Sequence, residues 1–298
     1  MSLPKAVKIV EVGPRDGLQN ESVSLDVATK VKLVHDLADA GLMTIEAGSF
    51  VSPKWVPQMA GSDEVFNQLT PSNARYTALT PNMRGLERAI ECDVKEIAVF
   101  AAASEEFSQK NINCSISESL EKFEAVIHKA KQHNIAVRGY ISCVAGCPYQ
   151  GDVDFTKVTT VAQSLLDMGC YEISLGDTIG VATPDTIEAL LNQIFKHISA
   201  SYLAVHLHDT YGQAIANIKR SLEMGVTTVD SSVAGLGGCP YAEGASGNVA
   251  TEKVLHLLNQ LGIEHGISLE KLNAVSQYIN QKLGRPTAAD NDSTPSAK

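Results

Sequence analysis

Short segments rich in β-forming residues alternate with longer amphipathic helical patterns from one end of this chain to the other, and this alternation constrains the fold most. The predicted strands are residues 7–12, 44–47, 75–79, 96–101, 136–142, 172–175, 203–208 and 228–232. The helical patterns cover residues 26–40, 63–69, 83–92, 117–132, 155–168, 184–198, 213–224 and 249–261. Eight consecutive β-then-α units predict a closed parallel barrel, the (β/α)8 TIM barrel.

Glycines at the boundaries between units support this division. Several helical patterns end at a glycine just before the next strand, as at Gly41, Gly169 and Gly225, and glycine is the usual residue of a left-handed helix stop. A doubly wound open sheet is the alternative, but no G-x-G-x-x-G follows the first strand. We expect one barrel domain at 1–286, an additional C-terminal helix at 269–282 and a disordered polar tail at 287–298.

Composition limits the class of protein. Among 298 residues, 44% are hydrophobic and 19% are charged, as in globular proteins with a large core. The net charge of −10 argues against binding to nucleic acid or to an anionic membrane, although Arg15, Lys54 and Lys110 could meet an anionic small molecule. With neither a spanning segment nor a targeting sequence recognisable, we expect a cytoplasmic protein.

The six cysteines do not form the framework of a disulfide-rich scaffold in so long a chain, so we expect most of them to be reduced and several to be buried. Cys143 and Cys147 form a C-x-x-x-C pair. This is a weak zinc or redox signal, because no second pair stands at zinc-site spacing.

Two histidines near the end of the seventh predicted strand form the clearest chemical signal. His206 and His208 are two residues apart, so on a strand both imidazoles point to the same face. A lone histidine on an apolar strand is usually a hydrogen-bonded core residue. A pair on one face, beside Asp209, predicts metal binding instead.

Other polar residues follow the strands, where a TIM barrel carries its chemistry. Such side chains are Arg15 and Asp16 after the first strand, Glu46 in the second, Ser142 at the end of the fifth and Asp177 after the sixth. We expect polar residues otherwise to avoid the strand interiors. A carboxylate beside two imidazoles suits Mg²⁺ or Mn²⁺ and also permits Zn²⁺ or Co²⁺.

A glycine-rich segment at 235–248 follows the eighth strand and is longer than a connection to a helix needs. Long loops over barrel mouths are frequently lids. In this segment Cys239 offers a thiol and Asn248 an amide oxygen. We therefore expect both side chains to reach the site.

Four segments together resemble the 3-hydroxy-3-methylglutaryl-CoA (HMG-CoA) lyases, which belong to a metal-dependent superfamily of TIM barrels with Claisen-type chemistry. They are VGPRDGLQNE at 12–21, GSFVSPKWVPQM at 48–59, HLHDTYGQ at 206–213 and the glycine-rich segment with Cys239. The first and third are common to the superfamily, whereas the second and fourth are similar to the lyase branch in particular. The resemblance covers nearly the whole chain.

This resemblance implies divalent-metal-dependent cleavage of HMG-CoA to acetoacetate and acetyl-CoA, as in leucine and ketone-body catabolism. It implies that the ion, Mg²⁺ or Mn²⁺, is held by Asp16, His206, His208 and Asn248. Open positions around the ion would take substrate oxygens, as catalysis by a metal requires.

The remaining roles follow from the same resemblance. Arg15 would stabilise the charge that develops on the thioester oxygen, and Cys239 would protonate the enolate of acetyl-CoA. The base stays open between Asp16 and His206, with His206 mildly favoured. In addition, Glu46 and Asp177 would orient or relay protons, and Gln19 and Ser142 would contact the substrate.

Alternatives remain at this stage. One is a lyase for longer 3-hydroxyglutaryl-CoA thioesters, since the size of the acyl pocket cannot be derived from sequence. Another is a condensing synthase of the same superfamily, which chain length and Cys239 oppose. A catalytically silent metal-binding or CoA-ester-binding barrel would be expected to have lost a ligand or the acid, and none is missing. The helix at 269–282 would cap the side of the barrel or form a homodimer interface.

Overall fold

A computed structural model describes residues 3–238 and 247–285 of the chain. Within them the strands are β1 Lys8–Glu11, β2 Thr44–Ser49, β3 Arg75–Leu79, β4 Glu96–Ala102, β5 Ala136–Ser142, β6 Ile173–Asp177, β7 Leu203–Leu207 and β8 Thr228–Ser231. The α-helices are α1 Val27–Asp39, α2 Ser62–Gln68, α3 Met83–Glu91, α4 Glu105–Ile112, α5 Ile116–Gln132, α6 Phe155–Met168, α7 Pro184–Ile194, α8 Ala214–Glu223, α9 Thr251–Leu261 and α10 Leu269–Leu283.

The strands form a closed barrel in chain order, and every pair of neighbours is parallel. Closure is made by β1 and β8, which pair with Ile9 opposite Val229. The predicted TIM barrel is confirmed. All eight strands therefore deliver the side chains at their carboxyl ends to one mouth.

The helices begin and end where local chemistry dictates. The Asp26 side chain accepts a hydrogen bond from Thr29 N and so caps α1, while Ser115 and Glu118 form a capping box at the start of α5. Gly169 at the end of α6 has φ +114°, a left-handed conformation that glycine adopts without strain. The predicted helix stops at Gly41, Gly169 and Gly225 are confirmed by their positive φ values.

Helix α10 confirms the predicted additional C-terminal helix. Ser268 caps its first turn, and Lys271 Nζ donates a hydrogen bond to the carbonyl oxygen of Asp39 at the end of α1. The predicted disordered tail at 287–298 lies outside the described residues. Among residues 3–238 and 247–285, no helix is both long enough and apolar enough to cross a bilayer.

The structure corrects the sequence-based account in three places. Helix α4, which follows β4 at the mouth, was not predicted, and α7 ends at Ile194 rather than at residue 198. The expectation that polar residues avoid strand interiors is wrong, because Arg138 lies within β5 and Asp230 within β8, both fully buried. They are tolerated in the barrel because they pair with each other.

Candidate functional site

The turn after β1 positions the first two residues of the site. Gly13–Gly17 forms a short π-helical turn with Pro14 at its start, and this turn carries Arg15 and Asp16 into the barrel mouth. Gly17 allows the turn to lie close to the glycine-rich segment, because a Cβ atom at this position would lie 2.6 Å from Cβ of Leu236. A side chain at this position would therefore push the turn that carries Arg15 and Asp16 away from Leu236 and Ser232.

Arg15 is buried and bridges two carboxylates. Its Nε donates to Oε2 of Glu46 at 2.5 Å, and its Nη1 donates to Oδ1 of Asp16 at 2.6 Å. Burial lowers the pKa of Arg15, but Glu46 and Asp16 outweigh burial and raise it above its ordinary value. The pKa of Glu46 is raised because its burial outweighs the attraction of Arg15. Arg15 is thus a fixed cation at the mouth.

Asp16, His206 and His208 form a cluster in which one ligand atom from each residue lies within 4.8 Å of the others. Nε2 of His206 is 3.8 Å from Oδ2 of Asp16. Nδ2 of Asn248 donates to the same Oδ2 at 2.8 Å. Burial raises the pKa of Asp16, but Arg15, His206 and the bond from Asn248 lower it to about 2. Asp16 is therefore an anion at neutral pH.

The donor set fits a divalent ion. Burial and the neighbouring His206 lower the pKa of His208 to about 4, so its imidazole is neutral and has a free lone pair. Nδ1 of His208 is buried and has no hydrogen-bond partner among the described residues. Turning the amide of Asn248 by 180° would present its oxygen where its nitrogen now contacts Asp16. The residues predicted as ligands therefore do lie together.

The other predicted site residues are placed as follows. Ser142 ends β5 at the mouth and is partly exposed, and Gln19 lies partly exposed just after the Gly13–Gly17 turn. Asp177 is fully buried at the end of β6, where its carboxylate accepts hydrogen bonds from the backbone N–H groups of Val181 and Ala182. Burial raises the pKa of Asp177. Cys239 lies outside the described residues.

Four buried residues below the mouth were missed by sequence reasoning. Arg138 donates through Nη1 and Nη2 to the two oxygens of Asp230, at 3.1 and 2.7 Å, and through Nε to Glu172 at 2.7 Å. The pKa of Asp230 falls well below its usual range because Arg138 outweighs burial. The ring of Tyr140 lies between Arg138 and Arg15, 5.0 and 5.7 Å from their Cζ atoms. Charged residues inside apolar strands were the signal that could have found them.

Cys143 and Cys147 do not belong to the group of candidate metal ligands. Among the described residues, the group of His, Cys, Asp and Glu side chains that could hold an ion together is Asp16, His206 and His208, and neither cysteine belongs to it. Cys143 and Cys147 are buried free cysteines. Burial raises the pKa of Cys143, which makes this thiol less reactive.

Comparison with known proteins places the whole chain in one family. The model of the HMGL-like family matches residues 6–279. A Pseudomonas aeruginosa protein named 3-hydroxy-3-isohexenylglutaryl-CoA/hydroxy-methylglutaryl-CoA lyase is 59% identical over 286 residues, which are 96% of this chain and 95% of that protein.

Solved structures agree with this result. The crystal structure of hydroxymethylglutaryl-CoA lyase from Pseudomonas aeruginosa superposes with a TM-score of 0.95 at 57% identity, and the match covers 98% of each chain. An HMG-CoA lyase from A. baumannii, solved with coenzyme A and 3-methylmalate, matches at a TM-score of 0.91 and 31% identity over 100% of both chains.

Proposed function

This chain belongs to the hydroxymethylglutaryl-CoA lyase family, and from that premise we propose how its barrel mouth carries out the reaction. The chain is a carbon–carbon lyase that cleaves HMG-CoA to acetoacetate and acetyl-CoA. The observation that carries the proposal is the meeting of Asp16, His206 and His208 beside Arg15, at the one end of the barrel where loops follow the strands.

Asp16, His206, His208 and the amide oxygen of Asn248 would hold a divalent cation. When bound, such an ion polarises substrate oxygens and lowers the pKa of a hydroxyl group. The mixed oxygen and nitrogen ligands support Mg²⁺ or Mn²⁺ as the ion. The ionised Asp16 and the neutral imidazole of His208 are the forms that ligands need.

Arg15 stabilises the negative charge that forms on the thioester oxygen. When the C2–C3 bond breaks, C3 becomes the ketone of acetoacetate and the electron pair passes to the thioester half as an enolate. Because Glu46 and Asp16 already hold the guanidinium group, it needs little reorganisation to meet this charge. Glu46 therefore acts by orienting Arg15.

The proton of the 3-hydroxyl group has two possible acceptors, His206 and Asp16. The pKa of Asp16, lowered to about 2, makes this carboxylate a weak base. The pKa of His206 is raised: burial lowers it, but Asp230 and Asp16 have the larger combined effect. We favour His206, whose single imidazole lone pair can serve as a ligand or as the base but not as both at once, with Asp177 as an orienting group near it.

Cys239 protonates the enolate to give the methyl group of acetyl-CoA. A thiol pKa near the ordinary 8.5 suits proton transfer around neutral pH. The described residues on either side of the stretch that carries Cys239 are joined, since Gly247 N donates to the carbonyl oxygen of Gly237. Gln19 and Ser142, which are partly exposed at the mouth, would contact the substrate.

A second candidate activity is cleavage of longer 3-hydroxyglutaryl-CoA thioesters. It is supported by the name of the Pseudomonas aeruginosa relative, which includes 3-hydroxy-3-isohexenylglutaryl-CoA as well as HMG-CoA. Coenzyme A in the A. baumannii structure supports a CoA thioester as the substrate class in either case. A cytoplasmic location and a homodimer stay predictions.

The test is product formation from both thioesters in D₂O, with Cys239→Ser compared against Cys92→Ser. We expect HMG-CoA to yield acetoacetate and acetyl-CoA in equal amounts, with one deuterium in the new methyl group. Cys239→Ser should slow cleavage, whereas Cys92→Ser, at the end of α3, should not. Cleavage of the longer thioester alone would transfer the proposal to that substrate, and cleavage of neither would refute it.

A further inference from the structure

His206 lies between two groups of charges and faces a carboxylate on each side. Its Nε2 is 3.8 Å from Oδ2 of Asp16 at the mouth, and its Nδ1 is 3.4 Å from Oδ2 of Asp230 below. The edge of the imidazole faces the ring of Tyr140, with ring centroids 6.1 Å apart and planes at 83°. His206 therefore lies between Asp230 in the barrel interior and Asp16 at the mouth.

Asp230 is held rigidly for this contact. Both oxygens accept from the guanidinium group of Arg138, and Oδ2 also accepts from Ser174 Oγ at 2.7 Å. The residue is only 1% exposed, so water does not compete for it. A carboxylate that a bidentate arginine keeps ionised can only accept a hydrogen bond, and the atom that faces it is Nδ1 of His206.

We propose that Asp230, held by Arg138, is a positioning residue for His206: it keeps the proton on Nδ1, so that an unprotonated Nε2 faces Asp16. This inference rests on the proposed metal site and deepens it, because His206 needs a free lone pair on Nε2 either as a ligand or as a base. A carboxylate behind a ligating histidine fixes the tautomer and the ring orientation. The 3.4 Å contact is longer than a full hydrogen bond, and Nδ1 of His206 has no other partner among the described residues, so Asp230 is the group available to it.

Glu172 provides a matched control. It accepts from the same arginine, through Nε of Arg138, and it is also buried, but its recorded partners are Arg138, Lys8 and Thr228 rather than His206. Asp230→Asn and Glu172→Gln therefore each remove one of the two carboxylate charges that contact Arg138. If Asp230 only neutralised Arg138, the two variants would behave alike.

The experiment measures Mn²⁺ binding by isothermal titration and by electron paramagnetic resonance of the free ion, without substrate. Asp230→Asn should weaken Mn²⁺ binding by about tenfold or more, and Glu172→Gln by less than about twofold, since a hydrogen-bond partner behind a ligating residue typically contributes about 10–100-fold. Equal affinities in both variants, or an equal loss in both, would overturn the proposal.

A second measurement does not depend on either variant folding or on the ion. Nitrogen-15 NMR of the wild-type protein, with His206 assigned by comparison with His206→Gln, reports which ring nitrogen carries the proton. A proton on Nδ1 supports the proposal, and a proton on Nε2 overturns it. If wild-type protein bound no Mn²⁺ yet His206 kept its proton on Nδ1, the metal site would fail while the positioning role stood.

Discussion

Two arginines each hold two carboxylates inside this barrel, one at the mouth and one deeper among the strands. Here the mouth cluster means Arg15, Asp16, Glu46, His206 and His208, and the inner cluster means Arg138, Glu172, Asp230 and Ser174. In the inner cluster every carboxylate oxygen accepts a hydrogen bond. In the mouth cluster, Oε1 of Glu46 and the Nδ1 atoms of His206 and His208 have no hydrogen-bond partner among the described residues.

This difference separates groups that hold a neighbour in position from groups that are free to bind a ligand. Buried polar groups are almost always paired, so an unpaired group needs an explanation. The carboxylates of the inner cluster are fully hydrogen-bonded, partly by Lys8 and Thr228 outside it, and this fixes the orientation in which Asp230 faces His206. The mouth cluster has ligand atoms next to a cation, and its unpaired atoms are what a metal ion and a substrate would use. Four predictions test this contrast, from the largest effect to the smallest.

Arg15→Gln should reduce kcat for HMG-CoA cleavage by about 10²–10³-fold, because a group that stabilises transition-state charge is lost. The effect on KM should be smaller. Steady-state kinetics check this, with Arg15→Lys as the control that keeps the charge but loses the planar fork. A variant that turned over at the wild-type rate would remove Arg15 from the chemistry.

Arg138→Gln should destabilise the protein by about 3–5 kcal/mol, because it leaves Asp230 buried without its cation and Glu172 with only the partly exposed Lys8. Urea denaturation of this variant beside Arg15→Gln measures the difference. Arg15→Gln should cost less, since Asp16 is partly exposed and still accepts from Asn248, and since Glu46, whose pKa is already raised by burial, can take up a proton. Equal losses of stability would mean that the two clusters contribute equally to the free energy of unfolding.

Glu11 is also buried, but no arginine among the described residues lowers its pKa, so its effect on stability should depend on pH. Burial raises its pKa from 4.5 to about 8 against opposing hydrogen bonds from Val233, Thr251 and Gly13. The folded protein therefore holds a proton that the unfolded chain loses near pH 4.5. The stabilisation is complete below pH 4.5 and is lost as the pH rises through about 8.

Relative to Glu11→Gln, wild-type stability should fall by about 2–3 kcal/mol between pH 5 and pH 7. Urea denaturation at both pH values measures the slope, and the neutral isostere serves as the control because it has the same shape. Parallel curves for the two proteins would show that Glu11 is ionised in the folded state.

Gly17→Ala should cost about 1–3 kcal/mol, because the new methyl group would lie 2.6 Å from Cβ of Leu236 and 2.8 Å from Oγ of Ser232. Thermal denaturation detects the loss. Gly212→Ala is a counterpart with open space around it, although its φ of +72° brings backbone strain of its own. If Gly17→Ala were the milder change, close packing of the turn would not matter.

The parts of this molecule that sequence predicted are those encoded locally. Glycine stops and alternating patterns located the strands and most helices, and the chain order of a barrel then brought Asp16 and His206 together at the mouth. The importance of residues 48–59 and of the glycine-rich segment was inferred from the resemblance to HMG-CoA lyases and not from local patterns. Because parallel neighbours follow chain order in this fold, no long-range register was needed for those predictions.

The parts that were missed depend on contacts across the barrel. Arg138 and Asp230 are 92 residues apart, and their pairing depends on the stagger of β5 and β8 around the closed sheet. A charged residue inside an apolar strand signals a buried polar group, but the sequence does not show which residue pairs with it. The same contact explains why Asp230 faces Nδ1 of His206.

The most direct test of the mouth cluster is acetoacetate formation from HMG-CoA by protein stripped of metal with a chelator and then resupplied with Mg²⁺ or Mn²⁺. The account predicts that stripped protein is inactive, that either ion restores cleavage, and that Asp16→Asn is not restored at the same ion concentration. Undiminished cleavage by thoroughly chelated protein would contradict a catalytic ion at Asp16, His206 and His208, and so would the absence of cleavage with every divalent ion.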